Sequence, residues 1–316
     1  MHDLLVKQPI FLVGAERSGT TLLRLMLAHN SQLAWCNEFE YVVDLISNEG
    51  YYPQLEVYYK WLDSHRIFQD TNFEIDASLD YLQLVNSFLI QKQVGNAKQF
   101  VGATVHRHFD KLLPMWSQAK FIHIIRDGRD VSRSCINMGW AGNVWTGVER
   151  WIEAENLWED LSKSLSRKQK IEITYESLIS QPTQTLEAIC DFIGVPFEAE
   201  MLNYHENTSY SPPDPKLIQQ WKNKLSQREI QLVESRISSM LLERNYKLSG
   251  FPLIEVTPLK KRVLKIQDWF ERVKFRVNRF GLSLFMADYF SRLLQLNSWQ
   301  KKIKLKINDI QRLHLK

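Results

Sequence analysis

The chain has 316 residues, 44% of them hydrophobic, with only twelve glycines and ten prolines. That is enough for one large α/β domain with a packed core plus an appendage. Its three cysteines are too few and too scattered for a disulfide framework or a cysteine-based zinc site. The net charge of +4 is unevenly spread: residues 255–316 carry 15 Lys/Arg against 5 Asp/Glu, leaving 25 against 31 for everything before them. The basic character belongs to the tail, which argues against nucleic acid as a partner of the body.

Pro9 to Val13 (P-I-F-L-V) is a short apolar run, expected as a buried strand, and it ends on the glycine loop Gly14-Ala-Glu-Arg-Ser-Gly-Thr-Thr21. Against the phosphate-loop pattern G-x-x-x-x-G-K-[ST], Gly14, Gly19 and Thr21 are in place. Thr20, however, stands where the lysine that reaches the β- and γ-phosphates belongs. The loop is expected to cradle phosphate without being tuned to a nucleoside triphosphate, and a cation, Arg17, stands earlier in the bend. Leu22, Leu25 and Met26 continue at helical spacing. Strand, loop, helix is the order that aims backbone N–H groups at an anion.

Residues 41–100 read as helices and loops with no clear chemistry. Lys120 to Ile125 (K-F-I-H-I-I) reads as a second buried strand, running directly into R-D-G-R-D-V at 126–131. Polar residues massed at the carboxyl end of a buried strand are where a doubly wound sheet places its ligands. Arg126 and Ser134 pair a guanidinium fork with a hydroxyl eight residues on, a combination suited to a phosphate monoester. Arg129, Asp127 and Asp130 are expected to cap and brace the following helix, and His123, inside the strand, to be structural.

Trp151 to Leu165 is helical, Lys170 to Thr174 a third strand, and Leu186 to Ile193 a helix stopped by Gly194 and Pro196. The loop Tyr210 to Pro215 precedes helical periodicity through Leu242, and Gly250-Phe251-Pro252 closes the body. The expected division is a body of residues 1–254 and a basic, mainly helical extension of residues 255–316. In the extension Leu259, Val263, Ile266, Phe270, Val273 and Val277 trace one helical face, with lysines and arginines largely elsewhere. Either this face packs on the body, or the extension contacts a membrane surface or a polyanion.

Two anion sites on one sheet imply a ligand with two separate phosphates. Gly14 to Thr21 followed by R-D-G-R-D-V-S-R-S at 126–134 resembles the sulfotransferase superfamily, which uses 3′-phosphoadenosine 5′-phosphosulfate (PAPS). The resemblance extends to I-T-Y-E-S-L at 173–178, Pro182, Thr185-Leu186 and F-I-G-V-P at 192–196, and covers roughly residues 8–250. It implies an α/β fold with a P-loop-like central parallel sheet flanked by helices. It also implies PAPS as the sulfuryl donor, with no metal required.

The same resemblance assigns roles. Gly14, Ser18, Gly19, Thr20 and Thr21 would hold the 5′-phosphate, and Arg126 with Ser134 the 3′-phosphate, with Tyr175 near the adenine. Arg17 would stabilise charge developing on the leaving phosphate. Two residues compete as the base that takes the acceptor's proton. Glu38 lies 21 residues after Arg17, as in tyrosylprotein-type sulfotransferases, although those have C-G-E-E where this chain has W-C-N-E, which keeps Glu40 in play. His106, in G-A-T-V-H ahead of L-L-P, is similar to the base histidine of cytosolic small-molecule sulfotransferases. Ser209, Lys216 and Lys222 are candidates for a late loop closing over the cofactor.

The expected acceptor is a small hydroxylated metabolite, a carbohydrate or a peptide. The expected setting is soluble and cytoplasmic, since the glycine loop opens by residue 14 and no run of about eighteen apolar residues suggests a membrane span. A nucleotide kinase or NTPase is the rival on the same fold, opposed by Thr20 at the lysine position. A non-catalytic binding module is the rival of a different class, and it would tolerate loss of Arg17 and Glu38.

Overall fold

A computed structural model describes residues 5–208 and 210–312. The chain divides into two compact units, one of residues 1–126 with 153–218, the other of residues 127–152 with 219–316.

The first unit is built on five parallel strands, β1 (Ile10–Val13), β2 (Leu33–Glu38), β3 (Phe100–Val105), β4 (Lys120–Ile125) and β5 (Lys170–Thr174), in the order β2-β3-β1-β4-β5. Ile10 and Leu12 of β1 enter one buried cluster, with Leu23, Leu27, Ile122 and Ile124. Phe11 and Val13 enter a second, with Val105, Phe121 and Trp158. Both faces are covered, which is why β1 and β4 read as continuous apolar runs rather than as alternating ones.

β2 and β3 have no such signature. L-A-W-C-N-E and F-V-G-A-T-V mix small and polar residues, and their pairing is what makes them strands. Trp35 lies so close over Gly102 that a Cβ there would meet its ring at 2.3 Å, and its indole N–H donates to Thr104 Oγ1 at 3.0 Å. A glycine inside a strand here marks the space a neighbouring ring requires. The helix Tyr81–Gly95, opened by a capping box between Asp80 and Gln83, buries Leu84, Val85, Phe88 and Leu89 in the second cluster. His123, on β4, is fully buried, 3.2 Å from Glu155 Oε1 and stacked on Trp158 at 4.5 Å. It is the structural histidine its position suggests.

In the second unit Asp127 caps the helix Gly128–Asn137 by accepting from Arg129 N–H. The buried Arg129 guanidinium also donates to both Asp127 oxygens and to Glu234, and it lies 3.6 Å over the ring of Trp221. Glu234 accepts in turn from Ser249 N–H and Oγ–H, and Asp130 accepts from Trp221 N–H at 2.7 Å. The charged run after Arg126 is thus a buried brace.

The expected boundary at 254 falls inside this unit. The helix Pro258–Phe280 packs within it through Leu264, whose carbonyl accepts from Asn143 at 2.8 Å, and through Asp268, which accepts from Gly142 N–H and Thr146 Oγ–H at 2.7 Å each. Helices Leu282–Leu293 and Asn297–Arg312 follow.

Candidate active site at the strand ends

In a parallel sheet the carboxyl ends of all strands lie along one edge, where α/β folds bind ligands. Each of the five strands delivers an expected site residue to that edge: Gly14 follows β1, Glu38 ends β2, His106 follows β3, Arg126 follows β4 and Tyr175 follows β5.

The glycine loop turns sharply after β1, with Ser18 N–H donating to Ala15 C=O at 3.2 Å. Gly14 (φ +142°) has no room for a side chain, since a Cβ would meet the Ile124 carbonyl oxygen at 2.3 Å. Gly19 (φ +95°) is fixed in the same way by the ring of Tyr175, again at 2.3 Å from a notional Cβ. Between them Arg17 takes φ +72°, a left-handed conformation that costs a non-glycine residue of order 1 kcal/mol.

The helix Thr20–Ala28 begins at Gly19 with no side-chain cap, which leaves first-turn N–H groups to a ligand. Ser18 is fully buried, and its Oγ has no hydrogen-bond partner among the described residues. An orphaned hydroxyl in a loop of this shape fits an anionic oxygen.

Thr20 clarifies the absent lysine. Its Oγ1 lies 3.0 Å from Nε2 of His106, and Nδ1 of His106 lies 2.6 Å from Oε1 of Glu40, which also accepts from His106 N–H at 2.9 Å. All three residues are buried. The position that holds a mobile lysine in an ATPase is therefore tied by a histidine to a carboxylate. Burial alone would lower the pKa of His106, but the charge and hydrogen bond of Glu40 outweigh it, with smaller contributions from Glu16 and Glu38, and raise it to about 8. Burial would raise Glu40, and the charge of His106 holds it below its ordinary value instead.

This pair carries a pH dependence of stability. The rise in His106 from 6.5 to about 8 corresponds to roughly 2 kcal/mol. That contribution is complete below pH 6.5, where the unfolded histidine is also protonated, and is lost as pH rises through 8. The contribution of Glu40 has the opposite sign, present above its unfolded value of 4.5 and lost as pH falls. Glu40→Gln is expected to lower stability at pH 6 by about 3 kcal/mol and to flatten the decline between pH 6.5 and 8. Urea unfolding across that range measures both.

Glu38 and Glu40 have separate environments. A register shift between Cys36 and Glu38 and the N–H of Phe39 donating to Thr104 C=O end β2. Glu40 turns inward, while the Glu38 side chain is 43% exposed and 3.6 Å from Arg66. Arg66 lies in the stretch where the sequence offered no chemistry, and only its fold neighbour reveals it.

Arg126 is brought to the loop. Its Nη1 donates to the Arg17 carbonyl and its Nη2 to the Leu217 carbonyl, both at 3.1 Å, and the guanidinium lies 4.2 Å over the Tyr175 ring. Ser134 lies on the helix Gly128–Asn137 of the second unit, half-buried. Lys216 is exposed in the first unit and Lys222 in the second, while Ser209 lies outside the described residues.

The profile of the Sulfotransferase family matches residues 9–199. Protein-tyrosine sulfotransferase A of Caenorhabditis elegans is 24% identical over 208 residues, 62% of this chain and 52% of its own length. Protein-tyrosine sulfotransferase 2 of Gallus gallus is 23% identical over 211 residues, 62% and 54% of the two chains. The chain thus spans about half the length of these curated relatives. Among solved structures, the sulfotransferase domain from the curacin biosynthetic pathway aligns with 77% of this chain and 99% of its own, at 19% identity and a TM-score of 0.57. The sulfotransferase domain of the Synechococcus PCC 7002 olefin synthase aligns with 72% and 95%, at 21% identity and a TM-score of 0.52. At these identities the likeness concerns the fold; with the profile covering more than half of the sequence, the chain belongs to the sulfotransferase family.

Proposed function

We propose that this chain transfers a sulfuryl group from PAPS to a hydroxyl or amine acceptor. The observation that carries the reading is the loop itself. Its buried Ser18 hydroxyl and uncapped helix start suit a 5′-phosphate, while Thr20, anchored to His106, has none of the reach of a Walker lysine. When bound, PAPS supplies an activated sulfuryl group. Ser18, Gly19, Thr20 and Thr21 hold the 5′-phosphate through backbone N–H and hydroxyl groups, Gly14 lets the backbone approach, and Arg17 steadies the charge on the departing phosphate oxygen. The sequence motif assigns the 3′-phosphate to Arg126 and Ser134, and Tyr175, packed on Gly19 and under Arg126, is suited to flank the adenine.

Glu38 takes the acceptor's proton. His106 is the weaker base because Glu40 keeps it protonated at neutral pH and both ring nitrogens are engaged. Its role is to fix Thr20. Since the matched relatives include protein-tyrosine sulfotransferases, a tyrosine hydroxyl in a peptide is the first acceptor to test, ahead of carbohydrates and small phenols.

The test has two arms. Calorimetry should find adenosine 3′,5′-bisphosphate bound at least about a hundredfold more tightly than ATP·Mg, a difference of about 2.7 kcal/mol. Radiolabelled PAPS should transfer label to at least one acceptor of a tyrosine-peptide, carbohydrate and phenol panel. Tight ATP·Mg binding with indifference to the bisphosphate would return the chain to the kinases and NTPases.

A further inference from the structure

We propose that the helices Pro258–Phe280 and Leu282–Leu293 dock this protein on an anionic lipid surface. The proposal is independent of the sulfuryl-transfer reading. At 3.6 residues per turn, Leu264, Asp268 and Phe275 share the face of the first helix that packs within its own unit. Leu264 is buried, Asp268 holds Gly142 and Thr146, and the ring of Phe275 lies 2.0 Å from where a Cβ on Gly139 would be.

Leu259, Val263, Ile266 and Phe270 fall on the opposite face and are 57 to 71% exposed, with Trp269 at their margin 64% exposed. The apolar exposure continues on the second helix through Leu282, Tyr289, Phe290 and Leu293. A helical stripe of large apolar side chains left on a surface marks an interaction site.

Charge selects the occupant. Residues 255–316 carry 15 Lys/Arg against 5 Asp/Glu. Exposed Arg262 and Lys265 flank the apolar stripe on one side and exposed Lys274 on the other. A second copy of this chain would bring the same positive charge to the contact, which opposes pairing. An apolar stripe with aromatic residues at its edge and cations beside it matches the layered interface of an anionic bilayer, where the stems of Lys and Arg lie along the apolar layer and their charges meet headgroups. No helix among the described residues is long and apolar enough to cross a membrane, so the contact is peripheral.

Co-sedimentation of the full chain with vesicles tests this. Binding is expected to phosphatidylcholine mixed with phosphatidylserine and not to phosphatidylcholine alone. It should weaken sharply near 1 M salt, where the Debye length is about 3 Å. The triple variant Arg262→Gln/Lys265→Gln/Lys274→Gln should lose roughly a hundredfold in vesicle affinity, about fivefold for each cation removed. Ile266→Ser/Phe270→Ser should abolish binding with an unchanged melting temperature, since both side chains are exposed. No sedimentation with either vesicle, or equal binding to both, overturns the proposal. So does a concentration-dependent dimer in analytical ultracentrifugation that Ile266→Ser/Phe270→Ser disperses, since the stripe would then be a contact between copies.

Discussion

Arg17→Gly is expected to lower the rate of sulfuryl transfer by about 10²–10³ while leaving the stability of the fold within about 1 kcal/mol of the starting protein. At φ +72° Arg17 occupies a conformation in which a Cβ is unfavourable, and glycine relieves that cost while adding a comparable entropy to the unfolded chain. The two backbone effects nearly cancel, so the variant isolates what the guanidinium does. A residue held against its backbone preference between two glycines that sterics require is a sign of function when its side chain is a cation at an anion-binding loop. Transfer assays at saturating donor, alongside urea unfolding, separate the outcomes. Loss of activity with loss of stability would make Arg17 structural. Full activity would remove it from the charge-stabilising role.

The sequence carried the parts of this site that are fixed by local chemistry. Gly14 and Gly19 are legible because a tight phosphate turn requires their conformations, and β1 and β4 because both of their faces are buried. What it could not carry depends on side chains meeting across the sheet. The strand nature of β2 and β3 comes from Trp35 lying over Gly102 and bonding to Thr104, contacts between residues about seventy positions apart. The division of labour between Glu38 and Glu40 is of the same kind. Two residues apart on a regular strand they would face one way, but the strand ends between them, sending one to Arg66 and the other to His106. The extension shows the converse. Its heptad-like apolar face was plain, yet periodicity does not say which face of an amphipathic helix meets its own domain. The packed face is the one bearing Leu264 and Asp268, and the apolar stripe is left outside.

Glu38→Gln is expected to reduce kcat for an acceptor hydroxyl by about 10²–10⁴ with little change in donor affinity, the usual weight of a general base. The isosteric amide keeps the side-chain shape beside Arg66 and removes only the capacity to accept a proton. At 43% exposure the ion pair with Arg66 contributes little to stability, about 1 kcal/mol at most, so the variant should fold normally. His106→Gln gives the contrasting signature. If His106 acts by fixing Thr20, its loss should raise the KM for PAPS more than it lowers kcat, because the disturbance enters through the phosphate loop. If His106 were the base, kcat of the wild type would climb as pH rises through about 8, where its imidazolium deprotonates, and His106→Gln would abolish that climb. A wild-type kcat that does not rise through pH 8, lost in Glu38→Gln and largely kept in His106→Gln, assigns proton transfer to the exposed carboxylate and positioning to the buried pair. Undiminished transfer in Glu38→Gln would exchange those roles.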